Sequence, residues 1–185
     1  MSPGLTAKLK KVTIKTLPVY IMGVILLMMA KPRADFFVLG LLPVVLGEGL
    51  RIWATGHLQK NQQVTTTGPY AYVKNPLYLG TFLIMVGFCT MANQFLLMAL
   101  GVGVFMFYYA PYKKRRESDR LTQRFGQVWT DYDTYVPDYW PRWTPYKQRG
   151  NTRWNFQLFL NNSEHETLLM VLLGIVIISL KSFVF

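Results

Sequence analysis

The chain has 185 residues, of which 51% are hydrophobic and only 16% are charged, and its formal net charge is +11. A soluble domain usually has about a quarter of its residues charged, so the composition argues against a soluble protein and for one membrane domain. The positive residues flank the apolar segments, which is typical of loops beside anionic lipid headgroups and argues against a nucleic-acid partner.

Five apolar segments predict an all-α, polytopic membrane bundle of about five transmembrane helices. The helices are expected at about 12–30, 36–53, 76–91, 95–112 and 167–185. A retained basic tail precedes the first helix, a polar connector spans 54–75, and a large polar region spans 113–166. The predicted division is a membrane core over 1–166, followed by an additional C-terminal helix.

The distribution of Lys and Arg predicts a cytosolic N-terminus and a C-terminus outside. In that orientation 17 of the 20 Lys and Arg residues fall on the cytosolic side, and only Lys31, Arg33 and Lys181 fall on the other. Such enrichment is the usual property of cytoplasmic loops. We therefore expect an integral membrane protein, in the inner membrane if prokaryotic, whose connector and polar region meet on the cytosolic face.

Two polar positions interrupt the second apolar segment. Glu48 and Arg51 are costly in lipid, so we expect them to face protein or the interface, and their spacing of three residues on a helix suits an ion pair. The neighbouring Gly47 and Gly49 lie in a membrane-length helix, as do Gly101 and Gly103. Neither pair follows a strand, so neither is a nucleotide-binding loop. We expect these glycines to allow close packing between helices.

Cysteine and histidine provide little chemistry in this chain. Cys89 is the only cysteine, so disulfides within the chain are excluded, and its apolar surroundings predict a buried, inert thiol. His57 and His165 lie far apart without cysteine partners, so no zinc-binding spacing exists and no metal is expected.

The stretch 67–80 has the composition of a functional loop that continues into a membrane helix. Gly68-Pro69 favours a turn, and Asn75-Pro76 predicts a helix start, because Asn75 can cap a helix and Pro76 fits its first position. In the second polar region, a helix after Pro111 would place Lys113 and Glu117 one turn apart on one face. From spacing alone, a solvated basic helix with an ordinary ion pair is the favoured interpretation, ahead of a functional one.

Two motifs in these regions carry a family resemblance. They are Gly68-Pro69-Tyr70-x-x-x-Lys74-Asn75-Pro76-x-Tyr78-x-Gly80 and Glu117-x-x-x-Leu121-x-x-x-Phe125-Gly126-x-x-x-x-x-Tyr132, followed by Val136-Pro137. In this order, on either side of a helical hairpin, they resemble the isoprenylcysteine carboxyl methyltransferase family and the related phospholipid N-methyltransferases, over about 36–141. The resemblance implies an integral membrane methyltransferase that uses S-adenosylmethionine in a cytosolic pocket and acts on a lipidic or amphipathic acceptor.

The resemblance also implies site residues, position by position. Glu117 would be the carboxylate important for cofactor or catalysis, and Lys113 would contact the substrate. Arg115 or Arg116 would take the place of Lys113 after a shift of register. The implied cofactor contacts are Gln62, Gln63, Val64, Thr65, Tyr70, Asn75, Pro76, Leu77, Tyr78 and Glu117.

This chain departs from the family pattern at three places. Lys74-Asn75-Pro76 stands where the family usually has Arg-His-Pro, Glu117-Ser118 where it often has a Glu pair, and Lys113 where it has Arg. Lysine lacks the planar fork that suits a carboxylate, which disfavours a prenylcysteine substrate. An amine acceptor would have to lose a proton before methylation, whereas a carboxylate would not.

Two other function classes compete with this interpretation. One is an NADPH-dependent membrane reductase of the steroid or sterol type, and the other is a non-enzymatic membrane protein whose basic loops bind anionic lipid. We expect Trp129, Trp140, Trp143 and Trp154 at the membrane interface. The residues at 155–166 are expected to form a linker before the last helix, or to cover the acceptor site.

Overall fold

The computed structural model describes residues 21–60, 62–147 and 150–182, with the side chains of 109–110 and 112–117 outside the description. The predicted basic tail and the start of the first predicted helix lie outside the described residues. The described part of the chain is helical and contains no strand. The all-α prediction is thus confirmed for it.

Eight α-helices follow one another in the described residues. They are α1 (21–29), α2 (Ala34–Thr55), α3 (Pro76–Met91), α4 (Phe95–Gly103), α5 (Ala110–Phe125), α6 (Gln127–Tyr135), α7 (Phe156–Asn161) and α8 (Glu164–Ser182). A 3-10 turn covers Gly68–Ala71, and a π-helical segment at Val104–Tyr109 joins α4 to α5 without a break. The fourth predicted helix therefore extends well beyond its expected end at 112.

Two helices are long and apolar enough to cross a membrane. Within the described residues these are α2 and α8, while α3 and the segment Phe95–Tyr108 are apolar but shorter. The outer faces of the long helices carry exposed apolar side chains, such as Leu42 on α2 at 61% and Leu180 on α8 at 62%. Large apolar surfaces of this kind suit a membrane environment.

Helices α2 and α3 pack antiparallel through glycines that face each other. A Cβ atom added to Gly47 would lie 2.6 Å from the Gly80 carbonyl oxygen, and one added to Gly40 would lie 2.5 Å from that of Gly87. Only residues without a side chain allow two helix backbones to approach so closely. This packing fixes the start of α3 against the end of α2.

Replacing Gly47 by alanine should lower the free energy of unfolding by about 1–3 kcal/mol, because the added methyl group must push α3 away. Gly49→Ala is the matched control, since a Cβ atom there would have open space within 4 Å. Denaturation in detergent micelles measures both values. Equal losses for the two variants would contradict the close-packing role.

Close helix packing is predicted for four glycines. The structure supports it for Gly47 and Gly101, and does not support it for Gly49 and Gly103.

Helix α8 begins at Glu164, several residues before the expected start, and runs antiparallel to α2. Glu164 and Glu166 belong to its first turn, where acidic side chains favour the positive end of the helix dipole. Near its other end, Lys181 Nζ donates to the carbonyl of Leu27 at 2.8 Å. The residues Glu164 to Glu166 are therefore part of the last helix and not of the linker expected from the sequence.

The predicted pairing of Glu48 with Arg51 is wrong. The Arg51 guanidinium instead donates from Nε and Nη2 to the two carboxylate oxygens of Glu164, at 2.7 and 2.9 Å. Both carboxylate oxygens of Glu48 are buried and have no hydrogen-bond partner among the described residues. A planar guanidinium fits one carboxylate with two parallel bonds, and α8 supplies that carboxylate.

Candidate functional site

A cavity of about 390 Å³ lies where α2 ends and α3 begins. This volume is within the range of small-molecule sites. Its walls come from the loop after α2, the first turn of α3, and the adjoining parts of α5 and α6. The lining residues are Leu58, Gln59, Lys60, Gln63, Val64, Thr65, Tyr70, Lys74, Asn75, Pro76, Leu77, Tyr78, Arg120, Leu121, Phe125, Trp129 and Tyr132.

Most of the predicted cofactor contacts lie on this cavity. They are Gln63, Val64, Thr65, Tyr70, Asn75, Pro76, Leu77 and Tyr78. Gln62 is exposed and is not part of the lining. The binding roles of all these residues remain predictions.

The predicted catalytic and substrate residues belong to α5. Lys113, Arg115, Arg116 and Glu117 lie within its bounds, and their side chains are outside the described part of the structure. Glu117 precedes Leu121 by one helical turn, and Leu121 lines the cavity. Glu117 is therefore one helical turn away from a residue of the cavity wall. The roles of Lys113, Arg115, Arg116 and Glu117 remain predictions.

The turn before α3 has the conformation that its glycine and threonines require. Gly68 has a positive φ of 59°, and a Cβ atom there would lie 2.4 Å from Cδ2 of the His57 ring. Thr67 Oγ1 lies 3.2 Å from His57 Nδ1, and Thr65 Oγ1 accepts from the Gln59 amide at 3.2 Å. These contacts hold the loop after α2 against the first motif, which begins at Gly68.

Lys74 forms a buried ionic centre behind the cavity. Its side chain is 6% exposed, and Nζ lies 2.6 Å from Asp133 Oδ1 and 3.1 Å from Asp138 Oδ1. Nζ also donates to the Asp133 carbonyl at 3.0 Å. Two carboxylates therefore compensate the burial of one cation, and they join the loop before α3 to α6 and the residues after it.

Asn75 occupies the position before α3, but its side chain makes no cap bond to that helix. Asn75 Nδ2 and its backbone amide both donate to the Asp138 carbonyl, each at 3.2 Å. Nearby, the Tyr146 amide donates to the Ala71 carbonyl at 2.8 Å. The predicted helix start at Pro76 is correct, whereas the capping role expected of Asn75 is replaced by a bond to the polar region.

A buried aromatic cluster forms the floor of the cavity. Tyr132, only 2% exposed, donates its hydroxyl to the Tyr70 carbonyl at 2.8 Å. Burial raises the pKa of Tyr132, which keeps the phenol protonated as the donor. Trp129 packs against Tyr132 with ring centroids 5.6 Å apart and is buried. The interfacial position expected for Trp129 is therefore wrong, whereas Trp140 and Trp143 are exposed.

The lining combines aromatic faces with basic side chains. Lys60 and Arg120 supply positive charge, and no Asp or Glu occurs among the described lining residues. Aromatic faces attract a cationic centre, and basic groups attract a carboxylate or phosphate. The cavity can therefore bind a ligand that carries both kinds of charge.

Sequence reasoning missed several residues of this lining. They are Leu58, Gln59, Lys60, Lys74, Arg120, Leu121, Phe125, Trp129 and Tyr132. A signal existed for four of them, because Lys74, Leu121, Phe125 and Tyr132 are fixed positions of the two motifs. On α5, Leu121 and Phe125 follow Glu117 by successive helical turns and share its face, whereas Tyr132 belongs to α6.

Comparison with known proteins gives a family match and two similar proteins. The family described as phospholipid methyltransferase matches residues 36–128. The chain is 30% identical over 111 residues to the nickel-cobalt-cadmium resistance protein NccN of Alcaligenes xylosoxydans xylosoxydans, covering 59% of this chain and 51% of that protein. It is 30% identical over 118 residues to the cobalt-zinc-cadmium resistance protein CzcN of Cupriavidus metallidurans, covering 63% and 53%. The chain thus spans about half the length of these relatives, and no solved structure matches it.

Proposed function

Because the chain belongs to the phospholipid methyltransferase family, we propose that it transfers a methyl group from S-adenosylmethionine to a lipidic or amphipathic acceptor. One observation carries this proposal. Two motifs separated in sequence by the α3–α4 hairpin line one cavity, the first through Leu77 and Tyr78 and the second through Leu121 and Phe125. The family match independently favours methyl transfer over the reductase and the non-enzymatic interpretations.

The proposal includes the topology expected from the sequence. The membrane core would have five spans, with the N-terminus and the cavity facing the cytosol and the C-terminus outside. Helix α3 has 16 residues and a length of about 24 Å at 1.5 Å per residue, slightly less than the hydrocarbon core. The Lys and Arg distribution supports this orientation, and so do the helix directions, because α3 and α8 both run antiparallel to α2, as the third and fifth predicted spans would run relative to the second.

The lining residues fit the charges of S-adenosylmethionine. The aromatic faces of Tyr70, Tyr78 and Trp129 would hold its sulfonium, and Glu117 would add the carboxylate that the family resemblance implies. Lys60 and Arg120, with the N-terminus of α3 at Pro76, would hold its carboxylate. The cavity supplies both kinds of partner within about 390 Å³.

When bound, S-adenosylmethionine supplies an electrophilic methyl group, which bonds to the acceptor's nucleophilic atom while sulfur keeps the electron pair of the broken bond. The chain's own residues would align the reactants and exclude water, which supplies most of the rate in a displacement of this kind. The buried aromatic floor suits both tasks. An amine acceptor would also need a group to take its proton, and Glu117 is the residue we assign to that role.

The acceptor is expected to be a membrane lipid or a similar amphipathic molecule, which would enter between the helices from the bilayer. Lys113, Arg115 and Arg116 on α5 would bind its anionic part. Because lysine replaces the family's arginine at position 113, an amine-bearing lipid is the preferred acceptor over a prenylcysteine carboxylate.

The names of the two similar proteins refer to metal resistance, and we do not propose that function for this chain. Among the described residues no group of three or more His, Cys, Asp or Glu could hold a metal ion.

The first experiment measures cofactor binding to the purified full chain in lipid nanodiscs. We expect saturable binding of S-adenosylmethionine and competition by S-adenosylhomocysteine, while NADPH neither binds nor raises the melting temperature. Glu117→Gln should weaken binding or methyl transfer, and Glu166→Gln is the control because that side chain is 71% exposed. If the protein bound NADPH and not S-adenosylmethionine, the methyltransferase proposal would be wrong and the reductase interpretation would be favoured.

A second measurement identifies the acceptor. Membranes containing the protein are incubated with S-adenosylmethionine labelled in its methyl group, and the lipids are then separated and analysed. We expect the label in one lipid class, at an amine or a carboxylate, and much less label with Glu117→Gln. Binding that depends only on anionic lipid and disappears at high salt would favour the non-enzymatic interpretation.

A further inference from the structure

The junction between α7 and α8 lies outside the segment 36–128 that matches the family, yet it contacts the loop that forms one wall of the cavity. Asn162 Nδ2 donates to the carbonyls of Thr55 and Leu58, each at 3.0 Å. Leu58 lines the cavity. Because Thr55 is the last residue of α2, one side chain of the junction holds both the end of this helix and the loop that follows it.

The same junction reaches the opposite wall through Glu164 and Arg51. Arg51 binds the Glu164 carboxylate with Nε and Nη2, and its Nη1 donates to Thr81 Oγ1 at 2.6 Å. Thr81 Oγ1 in turn donates to the Leu77 carbonyl at 2.9 Å. Leu77 lines the cavity in the first turn of α3. A chain of hydrogen bonds therefore leads from α8, through α2, to the cavity.

Glu164 determines which way the Arg51 side chain points. The Glu164 side chain is 2% exposed and that of Arg51 is 16% exposed, so their bidentate pair is well shielded from water. Glu48 precedes Arg51 by three residues on the same helix and is buried without a partner among the described residues. If Glu164 lost its charge, Glu48 would be the alternative partner, and Arg51 would turn away from Thr81.

We propose that Glu164 and Arg51 are positioning residues that fix the first turn of α3, so that α8 supports one wall of the cofactor cavity without lining it. The link through Arg51, Thr81 and Leu77 stands on the contacts alone. Its effect on cofactor affinity rests on the proposed function. A first turn held in place does not have to be ordered when the ligand binds, which preserves affinity.

Hydrogen exchange of the ligand-free full chain in nanodiscs tests the link directly. The amides of Tyr78 and Leu79 both donate to the Asn75 carbonyl in the first turn of α3. In Glu164→Gln their exchange should become about tenfold faster as this turn opens more often. Thr81→Val keeps the ion pair but removes the hydroxyl of the link, and leaves only the long 3.5 Å bond from Arg51 Nη1 to the Leu77 carbonyl. It should accelerate the same amides, and it decides the result if Glu164→Gln does not fold.

Glu48→Gln is the matched control, because it removes a buried carboxylate from the same helix without touching the link. Its exchange at Tyr78 and Leu79 should equal that of the unchanged protein. Acceleration of these amides by Glu48→Gln to the same extent would overturn the proposal, because the effect would then be general loosening. Unchanged exchange in folded Glu164→Gln and in Thr81→Val would also overturn it.

Cofactor kinetics give the functional consequence. Glu164→Gln and Thr81→Val should raise the KM for S-adenosylmethionine about tenfold with little change in kcat, since ordering the turn now opposes binding. A purely structural defect would instead lower kcat through a smaller active fraction, and that result would overturn the positioning role. If the unchanged protein binds no S-adenosylmethionine, the proposed function fails, and the exchange experiment alone still decides whether Glu164 and Arg51 position α3.

Discussion

Replacing Lys74 by methionine should lower the free energy of unfolding by about 3 kcal/mol, because it leaves two carboxylates without their cation. The Asp133 and Asp138 side chains are 32% and 19% exposed, so water compensates them only in part. The loss should be measured by denaturation of the protein in detergent micelles. The same variant should bind S-adenosylmethionine more weakly, because Lys74 lines the cavity and anchors the residues before α3.

Two further variants show whether charge or packing is responsible. Lys74→Arg keeps the positive charge and should recover part of the stability, limited by the space available for a guanidinium. Lys147→Met removes a lysine from an exposed position and should change stability by no more than about 0.5 kcal/mol. A loss in Lys147→Met as large as in Lys74→Met would mean that net charge, and not the buried centre, sets the stability.

Replacing Tyr78 by alanine should weaken the binding of S-adenosylmethionine by about 5- to 30-fold, because an aromatic face near a desolvated cation contributes about 1–2 kcal/mol. Tyr78 lies in the first turn of α3 and lines the cavity. Titration calorimetry of the full chain in nanodiscs gives the dissociation constant. Hydrogen exchange at Leu79 shows in the same samples whether the first turn of α3 is still formed.

The comparison with Tyr78→Phe separates the ring from its hydroxyl. Phenylalanine keeps the aromatic face, so Tyr78→Phe should retain most of the affinity. Tyr72→Ala removes a tyrosine that does not line the cavity and should leave the dissociation constant unchanged. An equal loss of affinity for Tyr78→Ala and Tyr72→Ala would contradict the placement of the cofactor.

The predictable part of this molecule rests on local signals. The start of α3 at Pro76 follows from the fixed φ of proline. The turn at Gly68 follows from the ability of glycine to adopt a positive φ, which is 59° in the structure. The eight lining residues predicted from the family resemblance occur in stretches of four or fewer consecutive residues. Such short segments keep their relation to one another in any fold that preserves the turn, so sequence patterns can identify them.

The unpredictable part consists of partners that are distant in the chain. Arg51 pairs with Glu164 and not with its neighbour Glu48, because α8 brings a carboxylate to it in a bidentate geometry. Trp129, a residue type expected at the membrane interface, is buried in a cluster that includes Val64 and Tyr146, both of which are distant from it in the chain. Local spacing contains no information about either contact.

The sequence by itself was enough to predict an all-helical membrane protein that resembles a methyltransferase family, the helix start at Pro76 and the two motifs of the proposed site. These features depend on hydrophobic periodicity and on residues with restricted backbones, which act over a few positions. Only the tertiary structure decided that both motifs line one cavity, that Asp133 and Asp138 compensate Lys74, and that α8 is tied to α3. Those contacts depend on how helices far apart in sequence pack, and close packing selects one arrangement from many that share the same local pattern.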